Sequence, residues 1–110
     1  MKNNGLKRNI ESAGVWFVAE YSGEIYSQFE RISNSREYKK EFIKEVYFKQ
    51  GRDKDYGGTA TRINAVMRII KNGDLMEALE YVVSSERMQK ENPKAIAKAT
   101  DTLRQFKVNK

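Results

Sequence analysis

Residues 14–29 read GVWFVAEYSGEIYSQF, and the structure of this stretch decides the fold class. β-branched and aromatic residues are dense on both sides of Ser22-Gly23, which is typical of two strands joined by a turn. A helix is the alternative, because five apolar residues also recur at helical spacing: Val18, Tyr21, Ile25, Phe29 and Ile32. We favour a β-hairpin, since Gly14 and Gly23 would each cost a helix about 1 kcal/mol relative to alanine.

Four helices are predicted after the hairpin, and each begins at a recognisable capping residue. The residues that mark the four starts are Asn34 or Ser35, Thr59, Asp74, and Asn92-Pro93. Gly51 and Asn72-Gly73 mark the ends of the first two helices, because glycine and asparagine tolerate the left-handed conformation there. The predicted order of elements is β-β-α-α-α-α.

This order predicts an α+β fold, an N-terminal β-hairpin followed by about four helices, with an all-α fold as the alternative. The chain has 110 residues without repeats or linkers, so residues 1–110 are expected to form a single domain. Residues 1–12 are polar and are expected to be loosely ordered, with Leu6 and Ile10 as possible tethers.

The chain contains no cysteine and no histidine, and this excludes several classes of site. Zinc sites, disulfide scaffolds and Ser-His-Asp or Cys-His catalysis all need those residues. Asp53-Lys54-Asp55 resembles the opening of a calcium loop, but Asn64 stands where that pattern needs a glutamate. We therefore expect no metal site, no cofactor, no catalytic residue, and a binding protein that is not an enzyme.

The chain is basic, with 21 Lys and Arg against 15 Asp and Glu, a net charge of +6. This charge favours partners that carry phosphate. The longest uncharged apolar run, Ala13–Ala19, is far shorter than the ~20 residues that a membrane helix needs. The polar first five residues are unlike a signal peptide. We expect a cytoplasmic protein with no membrane partner, in the host cytoplasm if the chain is phage-encoded.

Residues 56–62 form the main candidate binding segment. Gly57 and Gly58 let the backbone approach a ligand closely, and N–H groups at a helix start attract anions. The other candidate ligand-binding residues are the hydroxyls of Thr59 and Thr61, the guanidinium groups of Arg52, Arg62 and Arg68, and the rings of Trp16 and Tyr56 for stacking a base. The alternative is a loop that ends in a threonine N-cap, with Arg62 on the surface.

Two further surfaces suggest partners. A hairpin with apolar residues on both faces favours a homo-oligomer, in which a second copy covers one face. The predicted last helix is basic through Lys94, Lys98, Arg104 and Lys107, so it is either a solvated face or a contact for nucleic acid. The acidic helix before it, with Glu77, Glu80 and Glu86, is a poor reader of a DNA groove.

The predicted order of a hairpin followed by helices, the small Lys/Asn/Ile-rich chain and above all the stretch Gly57–Ala65, GGTATRINA, resemble the first family of Thoeris anti-defence proteins. Those phage proteins are sponges for cyclic ADP-ribose isomers, and some are oligomers. The resemblance implies a phage-encoded anti-defence protein that sequesters a phosphate-bearing nucleotide signal without degrading it. The alternative function is a small phage inhibitor or regulator, similar to an anti-CRISPR protein, that binds nucleic acid or a nuclease defence complex.

Overall fold

The computed structural model describes residues 4–108, and within this range it contains eight helices and no strand. The helices are α1 (Asn4–Ala13), α2 (Val15–Ser27), α3 (Phe29–Asn34), α4 (Arg36–Gln50), α5 (Tyr56–Lys71), α6 (Leu75–Val83), α7 (Glu86–Glu91) and α8 (Pro93–Val108). One continuous hydrophobic core takes a buried side chain from each of these helices. The predicted α+β fold is therefore wrong, and the all-helical alternative describes this part of the chain.

The segment predicted to be a β-hairpin forms α2, and Gly23 lies inside this helix instead of in a turn. A Cβ atom on Gly23 would lie 2.6 Å from Oγ1 of Thr102 on α8. Glycine is thus needed here because two helices approach each other closely. The cost of glycine in a helix still applies, but the packing of α2 against α8 outweighs it.

The position of α2 at the centre of the fold explains its strand-like composition. It packs against α1, α5, α6 and α8 and buries Phe17, Val18, Ala19, Tyr21, Ser22 and Ile25. Most of its residues are apolar and its only charged residues are Glu20 and Glu24, so the one-sided pattern of a surface helix is weak. Its β-branched and aromatic residues are there because the helix is buried, but in the sequence they are equally typical of a strand.

The central position of α2 also removes the argument for a homo-oligomer. That expectation depended on a hairpin with an apolar face left over for a second copy. In the structure, Phe17, Val18 and Tyr21 are buried by helices of the same chain. The oligomeric state stays a prediction, now without this support.

The first helix lies within the segment that was expected to be loosely ordered. Residues 4–13 form α1, which buries Leu6, Ile10 and Ala13 and packs on α5. Gly14 then turns the chain into α2 with a φ of +91°, a value that side-chain-bearing residues rarely adopt. Its missing Cβ also leaves space for the Arg62 guanidinium, whose Nη1 would lie 2.7 Å from such an atom.

Most helix ends that were predicted from local signals are confirmed. Ser35 Oγ accepts a hydrogen bond from the Tyr38 N–H at 3.1 Å at the start of α4. Gly51 follows the end of α4 in the left-handed conformation, with a φ of +64°. Asn92 Oδ1 accepts from the Ala95 N–H at 3.2 Å at the start of α8. These ends were predictable because capping depends on a few neighbouring residues.

One helix start differs from the prediction, and the short helices α3 and α7 were not predicted. The second predicted helix begins at Tyr56, three residues before Thr59, and its N-cap is Asp55. The short helix α7 was not predicted, although Ser85 caps it by accepting from the Met88 N–H at 3.3 Å. Thr59 was a reasonable cap by residue type, but it lies one turn inside the helix.

Candidate functional site

Trp16 brings two of the predicted arginines together. The guanidinium carbon of Arg52 lies 4.3 Å from the centroid of a Trp16 ring, and that of Arg62 lies 5.0 Å from it. Trp16 is half-buried in the first turn of α2, and Arg52 is an exposed residue between α4 and α5. A guanidinium over an indole face is a cation–π contact, and tryptophan is the strongest partner for it. The fold thus assembles three candidate residues that are far apart in the sequence.

The carboxylate of Asp53 fixes the second of these arginines. Asp53 Oδ1 accepts from Arg62 Nε at 3.0 Å, and Oδ2 accepts from Thr59 Oγ1 at 2.9 Å and from Gln50 Nε2 at 3.2 Å. Only 8% of the Asp53 side chain is exposed. Arg62 Nη1 also donates to the carbonyl of Ala13, the last residue of α1, at 2.7 Å. Arg62 therefore joins α1, α5 and the loop before α5.

The glycine segment is occupied by groups of the chain itself. Asp55 Oδ1 accepts from the Gly58 N–H at 2.9 Å, so a carboxylate already lies at the N-terminus of α5. Thr59 is fully buried beside Asp53, and Thr61 Oγ1 donates to the Gly57 carbonyl at 3.0 Å. The start of α5 is thus a capped helix end, with Asp55 as the cap where the sequence suggested Thr59, and Arg62 is paired with Asp53 instead of lying free on the surface.

The last two candidates contact other parts of the surface. Arg68 Nε donates to Asn9 Oδ1 of α1 at 2.9 Å. Tyr56 packs on two rings of α4, with its centroid 4.7 Å from that of Tyr47 and 6.1 Å from that of Phe48. The predicted set therefore divides into the Trp16 pair of arginines, the capped helix start, and these two separate contacts.

A cleft of about 360 Å³ lies beside Trp16 and Arg52. Its far side comes from α7 and the residues next to it, which bring Arg87 and Glu91; Arg87 Nε lies 3.3 Å from a Glu91 carboxylate oxygen. We call it the Trp16 cleft, and its lining residues are Val15, Trp16, Arg52, Ser85, Arg87, Met88, Glu91 and Asn92. An aromatic face and two guanidinium groups on a surface of this size suit a planar anionic ligand.

A larger groove, of about 540 Å³, lies between α2 and α8 but offers less to an anion. Its rings are those of Tyr26 and Phe106, which contact each other with centroids 4.9 Å apart. Its charged residues are one lysine, Lys98, and one carboxylate, Glu24. The Trp16 cleft has the stronger positive charge and is therefore the better candidate.

Tyr21 is the titratable side chain whose environment is most distinctive. Burial raises the pKa of Tyr21 to about 12, and the negative charges of Glu20 and Glu24 add to this rise. Lys98 Nζ lies 5.7 Å from the centre of its ring. The phenol thus stays protonated near neutral pH, so it provides no general base there.

The residues of α7 are the part of the site that sequence reasoning missed. Arg87, Met88 and Glu91 lie on a six-residue helix with no recognisable motif, and their approach to Trp16 is set by the fold. Their positions in the sequence gave no indication that they would lie beside Trp16.

Comparison with known proteins identifies no relative of this chain. No family model, curated protein or solved structure matches the chain. Within residues 4–108, no helix is long and apolar enough to cross a bilayer, and no three acidic side chains lie close enough together to hold a metal ion. The resemblance to Thoeris anti-defence proteins loses the predicted hairpin, since residues 15–27 are helical, and rests on composition and on the stretch Gly57–Ala65.

Proposed function

We propose that the chain is a non-catalytic binding protein that holds a nucleotide-derived ligand in the Trp16 cleft. The observation that carries this proposal is the Arg52 guanidinium stacked 4.3 Å from the Trp16 ring, next to Arg87 in one cleft. The ligand class is a phosphate-bearing signal such as a cyclic ADP-ribose isomer. Its role is sequestration in the host cytoplasm by a phage-encoded anti-defence protein.

In this proposal, Arg52, which lies over the Trp16 ring, and Arg87 take the phosphates of the ligand. Arg52 makes no ion pair within residues 4–108, so its guanidinium is available to an anion. Arg87 is paired with Glu91, but the two side chains are 83% and 61% exposed. Exposed ion pairs contribute about 0–1 kcal/mol, so exchanging Glu91 for a phosphate costs little.

The chemistry of the cleft favours binding over turnover. Its lining includes a single carboxylate, Glu91, which already faces Arg87, and a single hydroxyl side chain, Ser85. A nucleophile needs an adjacent base to activate it. Arg62, the third arginine near Trp16, stays with Asp53 and positions the ring instead of contacting the ligand.

Calorimetric titration with cyclic ADP-ribose, ADP-ribose and NAD tests the proposal. We expect heat of binding with at least one of them, and recovery of the unchanged ligand after denaturation. Arg52→Gln should weaken binding by about tenfold or more, because a charge-assisted hydrogen bond contributes about 1.5–3 kcal/mol. Lys54→Gln is the matched control, since it removes an equal charge from the same loop but lies outside the cleft lining.

Two results would contradict the proposal. One is the absence of binding to all three nucleotides by the folded protein. The other is equal affinity of the wild type and Arg52→Gln, which would place the ligand elsewhere. Conversion of the ligand during incubation would refute the non-catalytic part alone.

A further inference from the structure

Three aromatic rings form an exposed cluster where α4 ends and α5 begins. We call Tyr47, Phe48 and Tyr56 the aromatic triad; their ring centroids lie 4.7–6.1 Å apart. Phe48 is 71% exposed and Tyr56 is 43% exposed. Single exposed apolar residues are ordinary on a protein surface, but contiguous large rings mark contact sites.

A hydrogen bond and a helix cap fix the positions of Tyr47 and Tyr56 in the triad. The Tyr47 hydroxyl donates to the carbonyl of Lys54 at 3.3 Å, which ties α4 to the loop that precedes α5. Tyr56 is the first residue of α5, directly after the capping Asp55. The rings, which pack edge to face on one another, are thus held by two helix ends and a tethered loop, so little ordering is needed when a ligand contacts them.

The charge around the triad is positive once internal pairs are counted. Residues 36–55 carry seven Lys and Arg against five Asp and Glu, and two of these carboxylates are paired with cations, Asp53 with Arg62 and Glu45 with Lys49. Lys44 lies one helical turn before Phe48, and the backbone of Lys54 accepts the Tyr47 hydroxyl, so both lysines belong to the segments that carry the rings. Lysines on the segments that carry exposed rings complement a chain of phosphates that joins flat bases.

We propose that the aromatic triad and its neighbouring lysines, Lys44 and Lys54, bind single-stranded nucleic acid. Unpaired bases stack on the rings, and lysines neutralise the backbone phosphates, which is how such strands are held without sequence readout. A duplex hides its base faces, so it leaves the rings unused. This surface is separate from the Trp16 cleft, and the inference does not depend on the function proposed for that cleft.

Fluorescence anisotropy with labelled oligo-dT and oligo-U at low salt tests this proposal. We expect binding by the wild type, and about tenfold weaker binding by Phe48→Ala and by Tyr56→Ala, because stacking on one ring accounts for that much. Tyr81→Ala is the matched control. The exposed fraction of Tyr81, 46%, is similar to that of Tyr56, but Tyr81 lies on the acidic helix α6. Circular dichroism checks that each variant stays folded.

Salt dependence separates the charge contribution from stacking. Lys44→Gln and Lys54→Gln should each lower the slope of log affinity against log salt by about 0.7, the value for one phosphate contact on a single strand. Arg52→Gln should weaken nucleotide binding in the Trp16 cleft far more than oligonucleotide binding, so the two proposals can fail separately.

Three outcomes would overturn the inference. The first is no oligonucleotide binding by the wild type at low salt. The second is equal loss in Tyr81→Ala and Tyr56→Ala. The third is a wild-type dimer in light scattering that Phe48→Ala converts to monomer without any effect on oligonucleotide affinity, which would assign the triad to self-association.

Discussion

Replacement of Gly23 by alanine probes whether residues 15–27 form a helix packed on α8. The new Cβ would lie 2.6 Å from Thr102 Oγ1 and 3.4 Å from Thr102 Cγ2, so α2 and α8 must separate or Thr102 must move. Overpacking of this kind costs about 1–3 kcal/mol. Alanine recovers about 1 kcal/mol as the better helix former, so we expect a net loss of about 1 kcal/mol.

The double variant Gly23→Ala with Thr102→Ala provides the sharper test. Without the threonine hydroxyl and methyl, the nearest remaining Thr102 atom is Cβ at 3.6 Å, an ordinary contact distance. The clash is then gone while the gain in helix propensity stays. We expect the double variant to be at least as stable as Thr102→Ala alone. The double-mutant cycle of wild type, the two single variants and the double variant should then give a favourable coupling energy of about 1–3 kcal/mol.

Urea unfolding measures this cycle, with far-ultraviolet circular dichroism and the fluorescence of Trp16, the single tryptophan, as two probes. Coincident transitions and an unchanged m-value show that stability alone has changed. If Gly23 instead occupied a hairpin turn with positive φ, alanine would be costly whatever stands at position 102. Zero coupling between the two substitutions would therefore refute the reasoning.

Three more changes test the interior and its charges. Asp53→Ala should lower the free energy of unfolding by about 2–3 kcal/mol in urea titration, because it leaves the Arg62 guanidinium, only 25% exposed, without its carboxylate. Ser22→Ala should be neutral or stabilise by up to about 1 kcal/mol by thermal unfolding, since the Ser22 hydroxyl is buried without a hydrogen-bond partner in the described residues; a clear loss would mean that this hydroxyl is paired. Tyr21, whose pKa is raised to about 12, resists ionisation in the folded state, so stability should fall as pH rises from about 10 to about 12. Tyr21→Phe should make that fall shallower, and an unchanged slope would contradict the assignment.

The sequence predicted those features of the fold that depend on near neighbours. Ser35, Gly51 and Asn92 mark helix ends correctly because each cap is decided within about four residues. The hairpin failed because the role of Gly23 depends on Thr102, almost eighty residues later. A local rule counts the cost of glycine in a helix but cannot include the helix–helix contact that glycine permits.

The site shows the same division between local and distant information. The sequence selected Trp16, Arg52 and Arg62 by residue type, and the fold brings them together. The sequence also indicated Gly58 and Thr59 as parts of a phosphate-binding segment. In the structure, both residues donate hydrogen bonds to neighbouring aspartates instead. Acidic side chains two and four residues before the glycine pair, Asp55 and Asp53, indicate in the sequence itself that the helix start has an internal anion.

Nuclear magnetic resonance of the uniformly ¹⁵N-labelled protein, titrated with cyclic ADP-ribose, tests the central claim most directly. The single indole N–H of Trp16 reports on the cleft, and the amides of Gly57 and Gly58 report on the helix start. We predict a shift of the Trp16 indole and of the α7 amides around Arg87, with the glycine amides unchanged. Shifts confined to Gly57 and Gly58, with the Trp16 indole unmoved, would contradict the placement of the ligand in the Trp16 cleft.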